Sequence, residues 1–220
     1  MTRQSFLFVH GWGFDAGVWD AVRRLLPEAR TSVVELGYLG GRPCDLRDVS
    51  VPEGTVAVGH SGGVLDLLLD LPVACRGLVA INGFTRFAAA QDFPEGAPVR
   101  VLDRMVKRLA IDPAATVASF QARCGIDVRG PDRERYSDLD AGRLTAGLVR
   151  LRDGDARGAP ATFGLPVMAL AAADDPVVPA ALTSACFDRA SIVWSDAPGH
   201  VLPLSRPDWC ADRLRAFAAT

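Results

Sequence analysis

Apolar and polar positions along this chain follow two rhythms. Short apolar runs at 5–9, 31–36, 55–58, 77–81, 165–171 and 190–194 are bounded by glycine, proline or charged residues, which predicts buried strands. Between them the period lengthens. Val18, Trp19, Val22, Leu25 and Leu26 share one helical face, with Asp20, Arg23 and Arg24 opposite. The leucine-rich run after Gly63 predicts a packed helix, and residues 179–187 another. A last helix starts near Pro207, tolerated in a first turn, and carries Trp209, Leu214 and Phe217. Between 36 and 55 only a stub helix at 45–50 fits beside the glycine-rich loop 37–43. Strands alternating with helices predict an α/β fold, a mostly parallel sheet with helices on both faces.

The alternation stops between Phe84 and Gly164, and this segment reads as helical. Val101, Leu102, Met105, Val106 and Leu109 form one stripe, Val117, Phe120 and Cys124 a second, and Leu144, Leu148 and Leu151 a third after a polar stretch at 127–140. Residues 85–163 are therefore expected to form a helical cap inserted after the fourth strand of a single domain spanning 1–220, lying over the strand C-termini where α/β sites form.

Composition narrows the class. At 220 residues, with 49% hydrophobic and 23% charged residues, the chain suits one folded domain. A net charge of −2 argues against a nucleic-acid partner. The five cysteines are odd in number and lack any C-x-x-C pair, so neither a disulfide framework nor a zinc site is expected. The opening apolar run is too short for a secretory leader or membrane span, which predicts a cytoplasmic protein with no membrane partner; a monomer is expected.

The chemistry concentrates in Gly59-His60-Ser61-Gly62-Gly63, set between a predicted strand and helix. A serine at so sharp a turn is held out into a cleft, and the glycines two residues on either side let strand and helix pass closely. The Gly62 amide then falls in the first helical turn, where N–H groups lack acceptors and negative charge is favoured. Only three histidines exist, each beside a glycine: His10, His60 and His200. Serine catalysis needs a base and an acid that orients it. His200 stands in a loop after the last strand. The acid should come from Asp174-Asp175-Pro176; Asp175 is the first choice and Asp174 the alternative. The backbone amide of Trp12, after His10-Gly11, can pair with that of Gly62 to hold an oxyanion. His10 reads as a loop support and His60 as a packing residue. A metal site on three separate loops without ligand spacing is not expected, and the chemistry needs no cofactor.

With these residues placed, the chain resembles α/β-hydrolases, whose order of nucleophile, acid and histidine it shares. More narrowly it resembles the pimeloyl-[acyl carrier protein] methyl ester esterases of biotin synthesis, in the BioH and BioG groups. His10-Gly11-Trp12-Gly13, Asp175-Pro-Val-Val-Pro179, and Gly199-His200 with Ser205-Arg206-Pro207 resemble the loops of the first group. Ile81-Asn82-Gly83 and Phe120-Gln-Ala-Arg-Cys124-Gly125 look more like the second. Two departures stand out: the chain opens directly on the oxyanion strand, without the N-terminal antiparallel hairpin of many members, and Gly62 stands where these groups carry a larger apolar residue. The resemblance implies hydrolysis of a methyl ester on an acyl carrier protein. A generic short-chain esterase, lactonase or C–C hydrolase is the alternative, and a non-catalytic binding protein of this fold the remaining one. An acidic carrier would meet the cap, where residues 88–160 hold 12 Lys+Arg against 11 Asp+Glu while the rest holds 12 against 15. Arg100, Arg104, Lys107 and Arg108 share the polar face of one cap helix and are the candidate contacts.

Overall fold

The computed structural model describes residues 3–127, 136–159 and 164–220. Six strands form one parallel sheet: β1 (Ser5–Val9), β2 (Arg30–Val34), β3 (Thr55–His60), β4 (Cys75–Ile81), β5 (Val167–Ala172) and β6 (Ile192–Ser195), in the order β2-β1-β3-β4-β5-β6. Their alternation sorts side chains to two cores. Phe6 and Phe8 of β1, with Val56 and Val58 of β3, face one core; Leu7, Val9 and Ala57 face the other.

The first of these cores is closed by α1 (Asp20–Arg24), which extends a 3-10 turn at Ala16–Trp19, and by the last helix, α8 (Pro207–Ala218). The second is closed by α2 (Gly62–Leu69) and α6 (Ala180–Cys186), together with the helices between β4 and β5: α3 (Val99–Leu109), α4 (Pro113–Arg123) and α5 (Ala141–Asp153). A one-turn α7 (Leu202–Ser205), not anticipated from the sequence, precedes α8.

Several boundaries differ from the sequence expectation. The second strand ends at Val34, because Glu35 and Leu36 turn out of the sheet to meet the loop after β1. The stub at 45–50 is a 3-10 turn, Leu46–Asp48. Residues 85–98, expected to be helical, are not. They run as irregular chain with isolated bridges, Arg86 to Asp155 and Ala88 to Ala97, and α3 begins only after Pro98. Pro94, Gly96 and Pro98 deny this stretch a helical hydrogen-bond ladder. Much of the polar stretch between the second and third cap stripes, 128–135, lies outside the described residues, as do 160–163. No helix among the described residues is long and apolar enough to cross a membrane.

This topology fixes where a site can form. β1 has β2 on one side and β3 on the other, so the loops leaving β1 and β3 diverge to opposite faces and open a crevice at their C-terminal ends.

Candidate active site

Ser61 stands in that crevice. It adopts φ 53° and ψ −123°, a left-handed conformation for a residue with a side chain, between β3 and α2. Crowding imposes the turn's glycines: a Cβ on Gly59 would lie 2.7 Å from the Val64 amide nitrogen, and one on Gly63 would lie 2.5 Å from the Val9 carbonyl oxygen. The Ser61 amide donates to the Ile81 carbonyl at 3.0 Å, which ties the strained turn to β4.

His200, in the β6–α7 loop, and Asp175, in the β5–α6 loop, meet Ser61 in a buried row. His200 Nε2 is 3.0 Å from Ser61 Oγ, and His200 Nδ1 is 2.8 Å from Asp175 Oδ2. An ionised Asp175 only accepts, so Nδ1 holds the proton and Nε2 is the acceptor for the serine hydroxyl. The row is shielded: His200 is 0%, Asp175 4% and Ser61 6% exposed. Asp174 is exposed and borders a surface groove instead. Burial alone would raise the Asp175 carboxyl. The hydrogen bond and field of His200, with the amides of Val178 and Val177, outweigh burial and hold Asp175 below the usual carboxylate range. Asp175 Oδ1 accepts from those amides at 2.9 and 2.7 Å.

Asn82, which the Ile81-Asn82-Gly83 resemblance contains without giving it a role, is a further member of this row. It follows β4 with φ 46°, is buried, and donates from Nδ2 to Asp175 Oδ2 at 2.9 Å. Its Nδ2 also lies 3.4 Å from the Gly199 carbonyl oxygen, and its Oδ1 accepts from the Leu202 amide at 3.4 Å. One amide side chain thus braces the acid and both flanks of His200. An asparagine between a strand and a glycine is the signal that could have marked it, since Asn takes left-handed backbone more readily than most residues.

The other predicted residues gather around the serine. His10 Nδ1 donates to the Gly11 carbonyl at 3.1 Å, and its Nε2 accepts from the Leu36 amide at 2.9 Å. A Cβ on Gly11 would stand 2.8 Å from Ser61 Cβ. Glu35, which no sequence motif marks, holds the same loop. Its carboxylate accepts from the amides of Ala16 and Gly37 at 2.8 and 2.7 Å and lies 3.2 Å from His10 Nε2. Burial pushes its carboxyl up, but the neighbouring His10 and these amides prevail, leaving it below the ordinary value. His60 lies behind the row with Nε2 donating to the His200 carbonyl at 3.0 Å. Burial, then the nearby His200, lower it to about 3, so it remains neutral at working pH.

Trp12 faces Gly62 across the cleft: a Cβ on Gly62 would lie 3.7 Å from the Trp12 amide nitrogen and 3.3 Å from Leu151 Cδ2. Leu151 of α5 takes up the room that a larger residue at 62 would fill. The Trp12 indole donates to the Leu144 carbonyl of α5 at 2.8 Å, and Gln121 of α4 donates to the Gly13 carbonyl at 2.6 Å. Arg100, Arg104, Lys107 and Arg108 are all exposed on α3, away from the buried row. A cavity of about 120 Å³ opens beside Ser61, lined by Phe84, Phe87, Leu102, Met105, Phe120 and Leu148 among others.

Such an array is suited to acyl-transfer chemistry: a histidine bonded to a buried hydroxyl, a carboxylate fixing the histidine, backbone amides of Trp12 and Gly62 near the serine, and an apolar cavity alongside. Solved structures share the fold across almost the whole chain. An esterase from Exiguobacterium antarcticum superposes with a TM-score of 0.81 at 15% identity, covering 99% of this chain and 92% of its own. The enol-lactonase of Burkholderia xenovorans gives 0.73 at 13% identity, covering 100% and 93%. No protein-family model matches. The class is therefore a carboxylic ester hydrolase of the α/β-hydrolase fold.

Among curated relatives, the pimeloyl-[acyl-carrier protein] methyl ester esterase of Aromatoleum aromaticum is 30% identical over 96% of both chains. That of Yersinia pseudotuberculosis is 29% identical over 97% of this chain and 93% of its own. The chain belongs to the pimeloyl-[acyl-carrier protein] methyl ester esterase family.

Proposed function

We propose that this protein is a serine esterase that removes the methyl group from pimeloyl-[acyl carrier protein] methyl ester. The observation that carries the reading is the unbroken row from Ser61 Oγ through His200 to Asp175, at 3.0 and 2.8 Å. His200 takes the Ser61 proton as the oxygen attacks the ester carbonyl. The amides of Trp12 and Gly62 receive the oxyanion, each such donor worth about 10² to 10³ in rate. Asp175 steadies the imidazolium, which returns its proton to departing methanol; His200 then activates water against the acyl-enzyme. Gly59, Gly63, Gly11 and His10 hold the backbone that aims these groups.

Residues 85–163 act in this reading as a cap over the acyl slot. The carrier, an acidic protein, would dock on α3 through Arg100, Arg104, Lys107 and Arg108, exposed cations without an ion pair to another described residue. Conversion of the carrier-bound methyl ester, detected as a mobility shift of the carrier on a gel, tests the reading. Turnover by the wild type and none by Ser61→Ala is the expected result. Cleavage of p-nitrophenyl acetate with no conversion of the carrier ester would remove the substrate assignment and leave the esterase.

A further inference from the structure

The cavity beside Ser61 is apolar around almost its whole wall, and among the described residues lining it only Arg123 carries a charge. Arg123 ends α4 and reaches the acid loop, where its Nε and Nη2 donate to the Pro176 carbonyl at 3.2 and 2.7 Å. These bonds leave Nη1 without an acceptor among the described residues. Arg123 also borders a second groove, about 490 Å³ in volume, which opens beyond Pro176 between Ile126, Asp174, Pro198 and Leu204. The guanidinium thus lines both the apolar slot that holds Ser61 and the surface groove.

A cation at the rim of an apolar slot has no use for a plain hydrocarbon tail, and desolvating it against one is unfavourable. It has a use for an oxygen. We propose that Arg123 is a specificity-determining residue that donates hydrogen bonds to an acceptor oxygen at the far end of the acyl chain, so that the site selects esters of dicarboxylic chains over those of simple fatty acids. The proposal rests on the esterase reading of Ser61. In a carrier-bound substrate the acceptor is the thioester carbonyl; in a free half-ester it is a carboxylate, which a guanidinium holds more strongly.

The test compares kcat/KM for monomethyl pimelate and methyl heptanoate, two esters of equal chain length that differ in the far-end carboxylate. Wild type should favour monomethyl pimelate by about 10- to 100-fold, the range of a charge-assisted hydrogen bond, although the apolar slot by itself favours heptanoate. In Arg123→Gln the preference should vanish, and Arg123→Lys should restore part of it. An arginine that only straps α4 to the acid loop would lower both rates together and leave their ratio as in wild type. Equal wild-type rates, or a ratio unchanged in Arg123→Gln, overturn the proposal while the esterase stands. Hydrolysis of neither ester by wild type overturns both.

Discussion

The sheet half of the molecule and the helical segment between β4 and β5 solve different problems. Around Ser61 the groups that would do chemistry sit on loops leaving β1, β3, β5 and β6, are buried, and are fixed through backbone amides and carbonyls. The segment from 85 to 159 is tied down by side chains that reach across long stretches of sequence. Trp12 binds the Leu144 carbonyl, Gln121 the Gly13 carbonyl, Arg123 the Pro176 carbonyl, and Arg150 pairs with Asp66 and Asp70 at 2.5 and 2.8 Å. The sheet half is preorganised by topology. The helical half is positioned by a few polar ties, two of which end on the loop carrying the Trp12 amide, so the placement of these helices and of that amide are mechanically coupled.

Substitutions separate the two halves. The largest effect is expected within the sheet half: Ser61→Ala should lower kcat by about 10⁶ and Asp175→Asn by about 10⁴, read on any activated ester. Asn82→Gly keeps the left-handed backbone and removes only the brace on Asp175 and the His200 loop. It should reduce kcat about 10- to 100-fold with little change in KM, the scale of a lost hydrogen bond to a buried charge. An unaltered kcat would make Asn82 a folding residue only.

Next comes the coupling between halves. A Cβ on Gly147 of α5 would stand 2.7 Å from Tyr38 Oη and 2.8 Å from Trp12 Cδ1. Gly147→Ala should therefore displace the indole, and with it the amide, for a loss in kcat of about 10-fold from a site outside the row. A change confined to KM would show that the two halves move independently.

The smallest effect is on stability. Burial raises Asp66, on α2, from 3.8 to about 6, against the pull of Arg150. Because the folded value exceeds the unfolded one, the native state holds the extra proton between these limits. The contribution of Asp66 to stability is thus present below 3.8, falls as pH rises, and is gone above about 6. Asp66→Asn should flatten the dependence of unfolding free energy on pH across that window, removing a change of about 3 kcal/mol.

The same division explains what is legible in the residues alone. The strand at Ser5–Val9, the strand-turn-helix around Ser61 and the succession of strands along the chain arise from local periodicity and from glycines that the chain's own crowding requires. The bracing residues do not. Asn82 is 93 positions from Asp175, Gln121 is 108 from Gly13, and the Trp12 indole is 132 from its acceptor at Leu144, separations at which no local pattern speaks. Glu35 reads as the tail of a strand because it succeeds a β-branched run, whereas its carboxylate is drawn out to the loop amides. The stretch 85–98 reads as helix only by extension from the apolar stripe at 101–109, although its own prolines forbid one.

Whether Ser61 is an activated nucleophile is read most directly by labelling with a fluorophosphonate probe and mapping the modified peptide. Rapid, stoichiometric modification at Ser61, slowed by orders of magnitude in His200→Ala, is the expected result. Modification at another residue, or esterase activity that persists in a protein whose Ser61 stays unlabelled, would contradict it.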